Sequence, residues 1–479
     1  MLGRRERWQE DLFVAGPLRD LIPDDHILKR VDRVLDLAWL RDEVRDCYDL
    51  RQGRPGIDPE AAVRLMLAGL FQGITQDRQL LREAQVNLAI RWFAGYRLHE
   101  QLPDHSSLTR IRQRWGAERF REIFRKSVAA CGRAGLVDGQ TVHVDASLIR
   151  ADVSWESLVA HHAEKVLADN PDAPQGGPPA PTRGRRAPSG AAPEKPGKKY
   201  SPTDPDATLT TSCKQYRMEP CYKQHTAVDD RAGVIVDVEV TTGEASEGRE
   251  LPAQLARVAA QTGVAVQTIT ADGAYAHGRN YEHLEQRDIT AVIPPPTERS
   301  SSRRMPARRF KYDARHRRVR CPAGQVLRRS TRNRQGWVYR ARGGDCRACP
   351  LRDRCIAPSA AARVIVIGDG YEALQRARRK RVRWGCTEHG LYARHRWRAE
   401  GVHGEAKTQH GLRRAARRGL WNVAIQVYLT AAVMNLKRLA ALRRAWAERA
   451  GLIRRTPHAT SARTFAAAIP ARLPRRRAA

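Results

Sequence analysis

The sequence predicts a mixed α/β protein: a sheet flanked by helices, preceded by an all-helical region and interrupted by a cysteine-rich insertion. Three observations predict it. From residue 25 to about 130, apolar residues recur at helical spacing. From Gln140 onward, short β-branched runs alternate with amphipathic stretches, the pattern of strands joined by crossover helices. Four cysteines then fall between positions 321 and 355, after the last of those strands.

Taken in order, DPEAAVRLMLAGLFQGI opens the helical region. Asp58 suits an N-cap and Pro59 the first turn, and Val63, Met66, Leu67, Leu70 and Ile74 repeat at helical spacing. A second helix begins near Asp77 with Leu81, Ala84 and Leu88 on one face. A third follows the serines of PDHSSLTRIRQRWG, with Leu108 and Ile111 inward and Arg110, Arg112 and Arg114 outward. Such a region, residues 1–135, suits DNA binding, and a purely structural bundle is the plainer alternative.

QTVHVDASLIR reads as the first strand, and Trp155 to Leu167 as a helix. The Pro/Gly/Ala-rich run over 169–199 cannot build a core and reads as a disordered insertion. CYKQHTAVDD and VIVDVEVTT then form a hairpin around Gly233. ELPAQLARVAAQTG (helix), VQTITADGAY (strand), RNYEHLEQRD (helix) and ITAVIP (strand) complete a unit over 140–296 whose crossovers are right-handed by default.

The charge narrows the partner. Against 52 Asp+Glu stand 86 Lys+Arg, a net +34. A field of that sign gathers polyanions, above all nucleic acids, although a generally Arg-rich composition yields the same number. The hydrophobic fraction, 41%, fits a soluble chain with some unpacked segments. No apolar run approaches the ~20 residues of a membrane span; the longest, VYLTAAVMNL, contains Thr and Asn. MLGRRERWQE has no apolar signal core, and nine cysteines without a signal do not read as a disulfide framework. A cytoplasmic location is expected.

Two carboxylates stand out by placement. Asp145 interrupts the first strand, and Asp272 ends the fourth, immediately before Gly273. Ligands of α/β sheets gather where strands open into loops. If the first and fourth strands are neighbours, the acids meet, and a hard divalent ion such as Mg²⁺ would relieve their repulsion. A lone strand-end Asp without a catalytic role is the commoner case.

Here the chain resembles the DDE transposases of prokaryotic insertion sequences. That resemblance rests on HVDASLIRAD, TADGAY and RWRAEGVHGEAK, supported by SPTDPDATL, YKQHTAVD and NLKRL. It implies an RNase H-like core with Asp145, Asp272 and Glu400 as catalytic, metal-binding acids. The family signature R-x₃-E-x₆-K is met by Arg396, Glu400 and Lys407, while its usual tyrosine is displaced: position 393 is Ala393, and Tyr392 stands one residue early. The resemblance implies two Mg²⁺ or Mn²⁺ ions, cleavage at transposon ends and strand transfer into target DNA. Double-stranded DNA is the implied partner, with a homodimer holding two ends. A metal-dependent nuclease of the same fold and an inactive DNA-binding relative remain as alternatives.

Helical geometry adds its own argument. Arg396, Glu400 and Lys407 share a face, because positions four and seven apart differ by about 40° and 20°. Glu405 points away and reads as a surface charge. An ordinary i,i+4 surface pair is the simpler reading of Arg396 and Glu400. Arg394, Arg396, Arg398 and Lys407 are expected to face DNA phosphates. Lys223 and His225 lie near the site or pack elsewhere.

The insertion, 297–385, is basic and carries C-x₂₄-C-x₂-C-x₅-C: Cys321, Cys346, Cys349 and Cys355. The spacing suits tetrahedral Zn²⁺, and four reduced, unlinked thiols are the alternative. Residues 386–450 carry the Glu helix and a long Leu/Ala-rich helix, and 451–479 a basic disordered tail.

Overall fold

A computed structural model describes residues 16–49, 56–154, 159–160, 199–211, 218–296, 305–333 and 335–449. The chain is mixed α/β. Helix α1 (Pro59–Phe71) starts as its sequence requires: Asp58 accepts a hydrogen bond from the Ala61 amide at 3.1 Å, and Pro59 fills the first turn. Helix α2 (Asp77–Val86) ends earlier than its periodicity suggests. Asn87 caps a separate short helix, Leu88–Phe93, by accepting from the Ala89 and Ile90 amides. Helix α3 (His105–Arg133) breaks at Gly116, whose φ of 70° only glycine adopts at little cost. Arg112 is turned inward, contrary to expectation. It is buried and donates to both carboxylate oxygens of Asp77 at 2.6 and 2.9 Å, because that buried acid requires a partner. Arg110 and Arg114 are exposed.

The main sheet comprises β1 (Thr141–Arg150), β2 (Thr208–Thr210), β3 (Glu219–Asp229), β4 (Ile235–Thr242), β5 (Thr268–Ala271) and β6 (Thr290–Val292). Its order is β4-β3-β1-β5-β6, with short β2 beside the start of β3. β3 runs antiparallel to β1 and β4, whereas β1, β5 and β6 are mutually parallel. Two crossover helices, α4 (Glu247–Thr262) and α5 (Gly278–Gln286), connect β4 to β5 and β5 to β6. This is the strand order expected of an RNase H-like core. Only β2 is unforeseen.

One apolar core runs through the helices and the sheet, from Leu28 and Trp115 to Val142 and Val427. Its spine is the C-terminal helix α9 (Leu420–Arg449), packed against α3 and β4. Asn435, fully buried in that helix, accepts from the Ile235 amide and donates to the Ile235 carbonyl, both at 2.9 Å. One side chain thus satisfies both backbone groups of an edge-strand residue that would otherwise be stranded in the core.

The insertion forms its own antiparallel sheet from β7 (Lys311–Asp313), β8 (Arg318–Arg320), β9 (Val326–Asn333), β10 (Gly336–Arg340) and β11 (Val364–Ile367). A separate small core of Phe310, Val319, Leu327, Tyr339, Ile365 and Ile367 holds it. The chain returns to the main unit where Gly278 and Gly370 meet backbone to backbone, an approach that a Cβ on either would block. Helix α6 (Tyr371–Val382) then packs on α5.

Of the expected helix over Trp155 to Leu167, only 159–160 is described, and there the chain is a two-residue strand paired with Lys199–Tyr200. The rest of that helix, residues 169–198 and the 451–479 tail lie outside the described residues. Among the described residues, no helix is long and apolar enough to cross a membrane.

Candidate active site

Strand pairing brings the two aspartates together. β1 and β5 are parallel with Val144 opposite Ala271, so Asp145 and Asp272 occupy the next position on adjoining chains. On β1 the odd residues His143 and Asp145 face one side, while Val142 and Val144, fully buried, face the core. Asp145 Oδ1 accepts from the Ala146 amide at 2.8 Å, and Asp272 Oδ1 from the Ala274 amide at 2.9 Å.

Glutamate arrives from a helix with an irregularity. Helix α7 (Cys386–His395) passes through a single π-helical turn, Arg396–Glu400, into α8 (Gly401–Gln409). Such turns insert one residue and re-aim the side chains around it, and they gather at functional sites. Glu400 closes the π-turn. Its carboxylate is 62% exposed and meets Arg396 at 3.5 Å, while neighbouring Ala399 and Val402 are buried.

Electrostatics link the three acids. Burial pushes the Asp145 carboxyl up to about 7, and the charges of Asp272, Glu247 and Glu400 add to the effect. Asp272 is raised too, by burial first and also by Glu400, against the backbone amides of Ala274 and Tyr275. Among the described residues, no group of three or more His, Cys, Asp or Glu side chains is drawn into metal-holding geometry. The donor chemistry nonetheless suits a hard divalent cation: three carboxylates near enough to feel one another's charge, with the buried Asp145 raised by the other two. Two buried polar atoms beside them have no hydrogen-bond partner, His403 Nε2 and Tyr275 Oη. Burial raises the Tyr275 hydroxyl well above its ordinary value, with Asp145, Glu247 and Asp272 adding to the rise.

Several neighbours escaped the sequence reading. Glu247, in the first turn of α4, lies 3.2 Å from Lys223 Nζ, which also donates to the Ala245 carbonyl at 2.8 Å. His225 is packed, with Nε2 2.9 Å from the Thr241 hydroxyl. Tyr392 stacks on His395 with ring centroids 6.1 Å apart; its hydroxyl is raised by burial and by the charges of Asp272, Glu400 and Asp145. Although one residue early, this tyrosine lies within electrostatic reach of the acids.

A hydrogen-bonded chain runs behind them. His143 Nε2 donates to Asp230 at 2.9 Å, which leaves Nδ1 of the neutral ring to accept from the Thr270 hydroxyl at 2.6 Å. Thr270 in turn accepts from His395 Nδ1 at 3.0 Å. Burial holds both imidazoles below their usual range, His395 at about 4. The chain joins β1, β5 and α7, the three elements that carry or lead to the acids. Its sequence signal was the polar His143 alternating with valines.

The four cations expected to face DNA divide. Arg394 is spent on Asp230, to which it donates at 2.9 and 3.0 Å. Arg398, 15% exposed, donates to the Arg231 carbonyl at 3.1 Å. Both are drawn inward because the half-buried Asp230 demands compensation. Arg396, 83% exposed, is open to solvent. Lys407 is half-buried and lowered by burial and by Arg413, with Asp145 acting the other way. Glu405 is not the surface charge its position suggests. It does point away from Glu400, but onto α9, where Lys437 donates to it at 2.5 Å and Arg438 at 3.5 Å. Against its burial, His410 first and then those two cations hold its carboxyl down to about 2, so it is an internal ion-pair residue.

In the insertion, Cys321, Cys346 and Cys355 border the small core. The Leu351 amide donates to Cys349 Sγ at 3.4 Å, and the Cys355 thiol is raised by burial and by the other three cysteines. The four therefore neighbour one another.

Solved structures similar to this chain include a piggyBac transposase synaptic complex with hairpin DNA, at 9% identity and a TM-score of 0.28, over 94% of this chain and 85% of that one. A Mos1 transposase paired-end complex with the left transposon end matches at 11% identity and a TM-score of 0.17, over 53% and 65%. No curated protein matches. Two family profiles do: "Transposase domain (DUF772)" over residues 16–114 and "Transposase DDE domain" over 320–440. The chain carries a transposase DDE domain. The first match takes in α1, α2 and the start of α3. The second takes in the four cysteines and Glu400, while Asp145 and Asp272 lie between the two.

Proposed function

We propose that Asp145, Asp272 and Glu400 are the catalytic acids of this transposase, which cuts DNA at the element's ends and joins the freed 3′-OH to target DNA. The observation that carries the reading is the parallel pairing of β1 and β5, with the two aspartates at adjacent positions and Glu400 raising both carboxyls. A pair of Mg²⁺ or Mn²⁺ ions, when bound, supplies charge for the phosphodiester and an activated water or 3′-OH. The chain's own part is to hold that charge in place. Asp145 and Asp272 are fixed by strand pairing and by backbone amides, and Glu400 by the π-turn.

Arg396 and Lys407 meet the phosphates next to the scissile bond. Exposed Arg110 and Arg114 on α3, with the basic insertion, extend a sequence-independent DNA track. Cys321, Cys346, Cys349 and Cys355 hold a structural Zn²⁺ that ties β8 to the turns following β10. The protein acts in the cytoplasm, as a homodimer that holds two ends.

Incubation of the full chain with Mg²⁺ and DNA carrying the inverted repeats that flank its gene tests the proposal. Covalent joining of those ends to a target plasmid is expected. Nicks without joined product would leave only a nuclease, and intact DNA would sink the enzymatic reading.

A further inference from the structure

We infer that His403 is a nitrogen ligand of the divalent ion held at Asp145, which makes the site a mixed oxygen–nitrogen one. The inference rests on the reading of Asp145 as a metal ligand. His403 lies three residues after Glu400, in the first turn of α8, with its side chain 8% exposed. Its Nε2 has no hydrogen-bond partner and lies 3.8 Å from Asp145 Oδ2. That is too far for a hydrogen bond. It falls between the roughly 3.0 Å of cis and 4.2 Å of trans octahedral ligands at bond lengths of about 2.1 Å, so a side-chain shift of less than about 1 Å would let both atoms bind one ion.

An unpaired buried ring nitrogen is costly, so something at this position should offset it. No protein donor reaches it. Lys407 on the same helix acts on His403 through its charge alone, the Asp145 backbone offers an acceptor and no donor, His395 bonds to Thr270, and His225 bonds to Thr241 through Nε2 while its own Nδ1 also lacks a partner. The spacing Glu400-x-x-His403 is also one by which a single helix delivers a carboxylate and an imidazole to a dimetal site. Imidazole suits the later transition metals better than Mg²⁺, so the site should prefer Mn²⁺ over Mg²⁺ more than carboxylates alone would.

Electron spin-echo spectroscopy of Mn²⁺ added to the untagged full-length protein tests this, with calorimetry of Mn²⁺ and Mg²⁺ binding beside it. Wild type should show ¹⁴N modulation from a directly bound imidazole. His403→Gln should abolish it, weaken Mn²⁺ binding at least about tenfold and narrow the Mn²⁺/Mg²⁺ preference. If Asp145→Asn abolishes Mn²⁺ binding but wild type shows no such modulation, or if the modulation survives in His403→Gln, the inference is overturned while the acid assignment stands. Mn²⁺ binding indifferent to Asp145→Asn would overturn the acid assignment and the inference with it. The wild-type spectrum decides the matter even if the His403 variant fails to fold.

Discussion

Replacing Asp145 with Asn should stabilise the metal-free protein while it abolishes activity. Asparagine keeps the size of the side chain and the acceptor for the Ala146 amide, and removes only the charge. In the unfolded chain this carboxyl titrates near 3.8; burial and the neighbouring acids raise it to about 7 in the fold. The folded state therefore holds the extra proton between those values, and stability falls as pH rises through that window. The penalty is absent below 3.8 and complete above 7. Its ceiling is about 4 kcal/mol. Because the side chain remains 16% exposed, water screens part of the repulsion, and about 2 kcal/mol is a fair expectation. For a chain of this size that is roughly 2 °C in melting temperature. Calorimetry in chelator should show Asp145→Asn melting above wild type near pH 8, with less than half that gain near pH 5. A variant that melts at or below wild type at the higher pH, or gains equally at both, would refute the electrostatic description of the site.

Thr270→Val should break the His143–Thr270–His395 chain, cost about 1–3 kcal/mol and slow end cleavage about tenfold at unchanged DNA affinity, with Thr270→Ser restoring the rate. A wild-type rate in the valine variant would remove the chain from the positioning of α7. Glu405→Gln should cost about 3 kcal/mol at neutral pH, because Lys437 and buried Arg438 lose their shared anion. Since the fold holds that carboxyl at about 2 against 4.5 unfolded, its contribution is complete above 4.5 and fades as pH falls toward 2; denaturant curves should show the gap narrowing there. Elemental analysis of the purified chain should find about one Zn²⁺ per molecule, lost in Cys349→Ser; equal metal in both would remove the cysteines from that role.

Sequence pattern carried the sheet well because its strands alternate in side-chain character and its crossover helices are amphipathic. Asp145 and Asp272 were legible for the same reason: each breaks or ends an apolar run at a place where sheets bind ligands. The insertion was not. Its strands, such as RVR and VLRRSTRN, bury one apolar side chain each, and VLRRSTRN puts six of its eight residues into solvent, so they carry no periodic signal. Pairing across long sequence separations was also invisible. Arg112 reads as an outward cation until Asp77 is seen against it, and Glu405 as a surface charge until α9 closes over it. His403 had a local clue, its spacing from Glu400, but only the fold shows that its nitrogen is buried next to Asp145.

The central claim is that one site made of Asp145, Asp272 and Glu400 performs the chemistry. The most direct test compares wild type with Asp145→Asn, Asp272→Asn and Glu400→Gln for Mg²⁺-dependent cleavage of DNA carrying the element's ends, alongside DNA affinity. Each variant should bind that DNA as wild type does and leave it uncut; cleavage at a wild-type rate by any one of them would contradict the claim.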